Sequence, residues 1–141
     1  MADNQLLLEI ISPEGLVFHG DATSVSLPAY NGRITVLPHH APLFTKLADG
    51  EIEFKQNGRD IMVVISGGFL EIKGNIVHVL SDYAIRAESI EIAKAEEKKR
   101  RAEQKLKEKL GNEEFTLADK DLRLSILELK VAEKIRRRHR S

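Results

Sequence analysis

The sequence predicts a β + α protein, in which an N-terminal β-sandwich of about ten strands is followed by a C-terminal antiparallel two-helix hairpin. Three observations carry this expectation. All four prolines and eight of the nine glycines lie before residue 75. In the same half, short segments of strand character are separated by turn residues every eight or so positions. Beyond residue 89 the chain is almost entirely helix former, with apolar residues recurring at spacings of three and four and Gly111 as its one glycine. The division falls near residues 82–89, giving expected domains at 1–85 and 89–138.

Each element has its own warrant. Glu51-Ile52-Glu53-Phe54-Lys55 alternates charged and apolar side chains, the pattern of a half-buried strand. Asn57-Gly58 tolerates positive φ at both central turn positions and leads into the β-branched run Asp60–Ile65, so this pair reads as a tight hairpin. Gly74-Asn75 marks a second hairpin between Phe69–Lys73 and Ile76–Leu80. Earlier strands are expected at Leu6–Ile11, Leu16–His19, Ser24–Leu27 and Arg33–Leu37. Some 80 residues suffice to close one sandwich core. In the second half, Ser89 reads as an N-cap with Glu91 in the first turn. Ile92, Ala95, Lys99, Ala102, Leu106 and Leu110 form a narrow stripe rich in alanine, which lets a second helix approach closely. Gly111-Asn112 is expected to end that helix, and Thr116 with Asp119 to begin the next, each helix running for about 20 residues. The second helix carries two stripes, Ala118, Leu122, Ser125, Leu129, Ala132 and Leu117, Leu124, Val131, Ile135, with Ile126 and Leu127 between them. One stripe serves a hairpin partner; the surplus implies a second surface to pack against.

Charge and composition narrow the function. The net charge is zero, yet residues 1–82 carry ten acids and five bases, whereas residues 83–141 carry twelve acids and seventeen bases. That asymmetry points to a partner surface of defined sign. The absence of cysteine removes disulfides, thiol nucleophiles and thiolate metal sites. The first twelve residues lack a basic region and Glu9 interrupts their apolar run, so no signal peptide is read. No stretch approaches the ~20 apolar residues of a membrane span. A soluble protein on the cytoplasmic side is expected.

No group of residues suggests catalysis. No nucleophile–base pair, carboxylate dyad or metal-ligand cluster stands out, so the chain is expected not to be an enzyme and to need no cofactor. His39 and His40, between Pro38 and Pro42, would point to opposite faces of a strand and cannot jointly chelate a metal there. Gly67-Gly68 lacks the helix start and lysine of a phosphate loop and reads as a backbone requirement. The basic end Arg136-Arg137-Arg138-His139-Arg140 suits a helix C-terminus or a contact with an acidic surface. With only Tyr83 and Phe115 as aromatics in residues 83–141, there is no stacking platform for nucleic acid. The alternative of a ligand-binding β-sandwich module with a helical oligomerisation tail lacks an aromatic cluster for a pocket and sustained heptads for a coiled coil.

The stretch Ser26-Leu27-Pro28-Ala29-Tyr30-Asn31-Gly32-Arg33-Ile34-Thr35-Val36-Leu37-Pro38-His39-His40-Ala41-Pro42-Leu43 resembles the signature region of the epsilon subunit of F-type ATP synthases. Pro38-x-His40-x-Pro42-Leu43, Leu47-x-x-Gly50 and Ser66-Gly67-Gly68-Phe69-Leu70-Glu71 also fit that family, as does the order of sandwich and hairpin over essentially the whole chain. The resemblance implies a non-catalytic subunit of the central stalk, coupling rotation of the c-subunit ring to ATP synthesis. It implies contacts of the sandwich with the gamma subunit and the c ring. It also implies a peripheral place at the cell (inner) membrane on its cytoplasmic side, through the complex alone.

Residue by residue, the resemblance places His40 at a gamma-facing position with Pro42 beside it, and Asn31-Gly32-Arg33 in the segment that touches the c ring. Arg33 stands where relatives often carry an acid, which implies compensating acidity on the ring. The hairpin becomes an arm that folds onto the sandwich or extends into the catalytic head and inhibits hydrolysis. Arg123, Lys130, Lys134, Arg136, Arg137 and Arg138 are then the candidates for contact with the catalytic alpha/beta subunits. Some relatives bind ATP on the arm through Ile/Leu-Asp-x-x-Arg-Ala. This chain has Ile90-Glu91-Ile92-Ala93-Lys94-Ala95 there, so Ile90, Glu91, Lys94 and Ala95 form only a remnant of that site. Two arginines expected on the second helix are Leu124 and Glu128. Weak or absent ATP binding is expected, since lysine lacks the planar fork of arginine and a carboxylate repels a polyanion.

Overall fold

A computed structural model describes residues 4–140, without the side chains of residues 139 and 140. The backbone forms two compact units that meet between Arg86 and Ala87.

The first unit is all β: β1 (Leu6–Ser12), β2 (Gly15–Ala22), β3 (Val25–Ala29), β4 (Gly32–Val36), β5 (Leu43–Leu47), β6 (Gly50–Gln56), β7 (Arg59–Ile65), β8 (Gly68–Lys73), β9 (Ile76–Leu80) and β10 (Ala84–Arg86). They make one sheet in the order β10-β7-β6-β3-β5-β8-β9-β1-β2, with β4 paired to β3 off this path. Every pairing is antiparallel except β1 with β9, which is parallel. The sheet folds over itself so that Leu6, Leu8 and Ile10 of β1 share a core with Ile52 and Phe54 of β6, Val63 and Ile65 of β7, and Val77 and Val79 of β9. Phe18 on β2 meets Phe54 on β6 with ring centroids 4.5 Å apart. At the seam, Arg86 Nε donates to the Val17 carbonyl at 3.2 Å and its guanidinium lies 5.3 Å above the Phe18 ring. The two edge strands are thereby brought together, leaving a near-barrel with little free edge.

The eight strands expected from the sequence are all present. The two additional strands, β5 and β10, gave little sequence signal. β5 follows directly on Pro42, and β10 is three residues long, too short to display a period. The Asn57-Gly58 hairpin has φ of 52° and 77°, the type I′ pattern expected of this pair. At Gly74-Asn75 only the first central residue has positive φ, 60°, as in type II′. Gly67 and Gly68 have φ of 63° and 124°, and a Cβ on Gly68 would collide with the carbonyl of Leu80. That pair therefore answers a backbone constraint.

The second unit contains a 3₁₀ turn (Ala87–Ser89), α1 (Ile92–Leu106) and α2 (Asn112–Arg140). α1 has 15 residues and α2 has 29, so the two helices are unequal. Ser89 does not cap α1: the capping position is Glu91, which makes no side-chain cap hydrogen bond. At its far end α1 tightens, with Lys107 and Glu108 donating to carbonyls three residues back, and stops before Leu110. Gly111 is not a left-handed stop for α1. Its carbonyl accepts from Phe115 N at 2.9 Å, which opens α2, and Glu113 and Glu114 then suit the positive end of that helix. Thr116 consequently lies inside α2, and its hydroxyl donates to the Asn112 carbonyl. Asp119 pairs with Arg123 at 2.8 Å instead of serving in a cap. Ala95 and Ala102 are buried on α1. On α2 the buried set is Ala118, Leu124, Ser125, Val131, Ala132 and Ile135, drawn from both sequence stripes, together with Glu128, which belongs to neither. Among the described residues, no helix is long and apolar enough to cross a membrane.

The Gly68 contact gives a direct test. Gly68→Ala adds a methyl against backbone that cannot yield, and should cost on the order of 3 kcal/mol or prevent folding. Gly58→Ala, whose Cβ would meet open space, should cost only about 1 kcal/mol. Urea unfolding of the two variants checks the ordering, and equal stabilities would contradict it.

Candidate docking surface

The residues singled out on the sandwich fall at two separate places. Asn31 lies in the two-residue turn of the β3–β4 hairpin beside Tyr30, a ring that is 72% exposed. Gly32 follows with φ of 136°. Arg33 does not reach outward. Its Nε donates to Ser26 Oγ at 2.9 Å, and its Nη2 donates to the Glu51 carbonyl at 2.7 Å. The guanidinium thus lies across β3 toward β6, and its charge is fixed at the side of the hairpin by three strands.

His40 and Pro42 sit at the other end of β5. Leu37-Pro38-His39-His40 is a turn closed by His40 N donating to the Leu37 carbonyl at 3.2 Å, with Pro38 second and His39 third at φ 67°. That is the shape of a type II turn, whose third position calls for positive φ. The two histidines therefore occupy a turn, not a strand. His39 N donates to Asn75 Oδ1 at 2.7 Å, tying this turn to the β8–β9 hairpin. His40 Nδ1 lies 2.7 Å from the Ala41 carbonyl and donates to it in the tautomer that carries the proton there. The β3–β4 tip is held near the opposite end of β5, through Tyr30 N to the Lys46 carbonyl at 2.8 Å. Four steps of strand, roughly 13 Å, separate the two places.

Between them spreads a face that sequence reasoning did not single out. The outward residues of β5, β8, β9, β1 and β2 lie in cross-strand rows. One row is Lys46, Phe69, Leu80, Ile11 and Leu16. The next is Phe44, Glu71, His78, Glu9 and His19. Phe44 and Phe69 stack at 5.9 Å, and with Glu71, His78 and Leu80 they line a shallow hollow of about 300 Å³. Phe44 is 68% exposed, Leu16 62% and Leu80 53%. This is a contiguous apolar surface of the kind that marks an interaction site. Its signal in the sequence was the outward phase of the strands, where Phe69 and Leu80 break the usual polar alternation. Among the described residues, no group of three or more His, Asp or Glu side chains is placed to hold a metal ion.

On the second unit, Arg123, Lys130, Lys134 and Arg137 recur at spacings of seven, four and three and share one side of α2. Arg123 pairs with Asp119, and Arg137 approaches Glu133 at 3.8 Å. Arg136 lies off that side. Arg138, half-buried, lies at its edge. The residues singled out as a nucleotide-site remnant are engaged with one another or buried. Glu91 pairs with Lys94 at 3.0 Å, Ala95 is buried and Ile90 is nearly so. Leu124 is buried, and Glu128, also buried, lies 3.6 Å from Lys98 across the two helices. The Lys98 charge is thus opposed by that carboxylate. On the solvent side of α1, a hydrogen bond from Arg101 holds the Glu97 carboxyl below the usual carboxylate range.

A ten-stranded near-barrel with two trailing helices and an exposed apolar outer face has the build of a docking module that binds other proteins. The comparisons agree. Residues 5–87 match the family model described as "ATP synthase, Delta/Epsilon chain, beta-sandwich domain". An ATP synthase epsilon chain of Dehalococcoides mccartyi is 42% identical over 136 residues, 96% of each chain. One of Chromobacterium violaceum is 36% identical over 137 residues, 96% of this chain and 98% of the other. A chain in the structure of the Euglena gracilis mitochondrial ATP synthase, OSCP/F1/c-ring, superposes with a TM-score of 0.74 at 21% identity, covering 92% of this chain and 81% of that one. The chain belongs to the ATP synthase epsilon chain family, and is a non-catalytic subunit.

Proposed function

We propose that the chain is a rotor subunit of the ATP synthase central stalk and couples c-ring rotation to ATP synthesis. In this reading the outer face of β5-β8-β9-β1-β2, bordered by His40 and Pro42, is the seat for the gamma subunit. The observation that carries it is the unpartnered apolar surface of Phe44, Phe69, Leu80 and Leu16, which is costly to leave in water. A chain of the Tetrahymena thermophila mitochondrial ATP synthase, from a structure of its central stalk and c ring, superposes with a TM-score of 0.57 at 8% identity, which supports the fold. The β3–β4 tip, with Tyr30, Asn31, Gly32 and the braced charge of Arg33, is the contact with the c ring. Its position at the far end of β5 from His40 lets one domain bridge two partners. The chain then sits at the inner membrane on its cytoplasmic side, held there by the complex. Removing Phe44 and Phe69 together, as the double serine variant, should weaken binding of gamma by at least about tenfold while leaving the exposed positions' fold intact. Unchanged affinity would sink the docking assignment.

The second unit is the regulatory arm. Its candidate contact with the catalytic alpha/beta subunits is the side of α2 bearing Arg123, Lys130, Lys134 and Arg137, extended by Arg136 and Arg138. Exposed Ile126 and Phe115 supply apolar area for the same contact. Truncation after Ala87 should leave assembly intact and raise the rate of ATP hydrolysis by the assembled complex, whereas an unchanged rate would mean that the arm is no brake. ATP is not a ligand of this arm, because Glu128 and Leu124 stand where cations are needed. Calorimetric titration of the full chain should show no saturable ATP binding below about 1 mM, and micromolar affinity would overturn this.

A further inference from the structure

The docking face carries a charge pattern that its apolar character does not explain. Glu9 on β1 lies directly between His19 on β2 and His78 on β9 in the ladder. Its two oxygens are divided between them: Oε2 lies 3.8 Å from His19 Nε2 and Oε1 lies 3.6 Å from His78 Nδ1. On the other side of His78, Glu71 of β8 is its cross-strand partner, and Phe44 of β5 closes the row. Acid and imidazole therefore alternate across four adjacent strands. His19 and His78 are half-exposed, at 50% and 42%, while Glu9 is at 25%. All three are reached by water.

Among the described residues, neither carboxylate of this row is paired with a lysine or arginine. On the same face the other charged residues are Lys46 on β5, Lys73 on β8 and Asp21 on β2. They pair across the ladder with Phe69, Ile76 and Leu7 respectively, in neighbouring rows. Beneath the sheet lie the buried Leu8, Ile10, Leu70, Ile72, Val77 and Val79. Arg86, beyond β2, is engaged with the Val17 carbonyl and the Phe18 ring.

With both imidazoles neutral, the row presents two carboxylates with no balancing cation among its members. With both protonated, it is internally neutral, and Glu9 is clasped from two sides. Covering the row with another protein removes water from it. Desolvating unbalanced carboxylates costs far more than desolvating a row of opposed pairs. Imidazole is the side chain whose charge ordinarily changes between about pH 5 and 8.

We propose that this row makes the face a proton-responsive docking surface, on which the rotor partner binds more tightly, with uptake of protons, as the pH falls from about 8 to about 6. The proposal rests on the gamma-docking reading and adds to it a coupling between assembly and the proton concentration on that side of the membrane.

The test is calorimetric titration of the full chain with the purified gamma subunit of the same synthase, at pH 6, 7 and 8, in buffers of different ionisation enthalpy. The wild type should bind at least about tenfold more tightly at pH 6 than at pH 8, and at pH 7 the heats should report net proton uptake. The double variant His19→Gln, His78→Gln, at exposed positions, should lose most of that dependence. Glu9→Gln removes a carboxylate from the row and should tighten binding at pH 8. Binding that is independent of pH, or a pH dependence that survives in the double histidine variant, overturns the proposal while leaving the docking reading in place. Absence of binding at every pH overturns both.

Discussion

The parallel pairing of β1 with β9 is the constraint on which the sandwich depends. It inserts the first strand between β9 and β2, near the end of the strand order, and so joins residues 7–11 to residues 76–80. Without it, the β1–β2 hairpin would be detached from the rest of the sheet, leaving open edges at β1 and β9. With it, Leu8 and Ile10 enter the same interior as Val77 and Val79, and the sheet is long enough to fold over until β2 and β10 meet at Arg86. The same pairing places Leu80 beside Ile11 and His78 beside Glu9. Core and docking face are two sides of a single act of register, because a slip by one residue would exchange them.

The two places to which the resemblance pointed are organised by β5. That short strand links the His39–His40 turn at one end with the support of the β3–β4 hairpin at the other. A strand between the two places fixes their separation, since it is held by backbone hydrogen bonds and not by a loop. Arg33 belongs to this stiffness. Its guanidinium joins β4 to β3 and β6, so its charge is delivered at a fixed position. The arm has a different character. α1 and α2 close over small residues and an ion pair from Lys98 to Glu128, and Arg123, Lys130, Lys134 and Arg137 stand on the side of α2 away from the buried set. Glu128, buried between the helices, serves an internal helix-to-helix contact.

How much could be read in the sequence follows from the range of each interaction. Turns and alternation are local, so Asn57-Gly58 and Glu51–Lys55 gave their structures directly. β5 was missed because Pro42 and the turn before it dominate the local pattern, while its strand conformation comes from pairing with β8, some 25 residues away. Gly111 was legible as an interruption and misread in its role, since a glycine can end one helix or begin the next. The choice lay with Glu113 and Glu114, which favour the start of α2 over a later one at Thr116. The Glu9, His19 and His78 row was invisible for a plainer reason. Its members lie 10 and 69 residues apart, and only the register of three strands brings them together.

The central claim is that the outer face of β5-β8-β9-β1-β2 seats the rotor partner. It is tested most directly by placing a photo-crosslinking amino acid at Phe69, in the middle of that face, and separately at Arg59, exposed on β7, in the assembled synthase. The account predicts an epsilon–gamma conjugate from position 69 and none from position 59. A conjugate from position 59 alone, or from neither position in an intact complex, would contradict it.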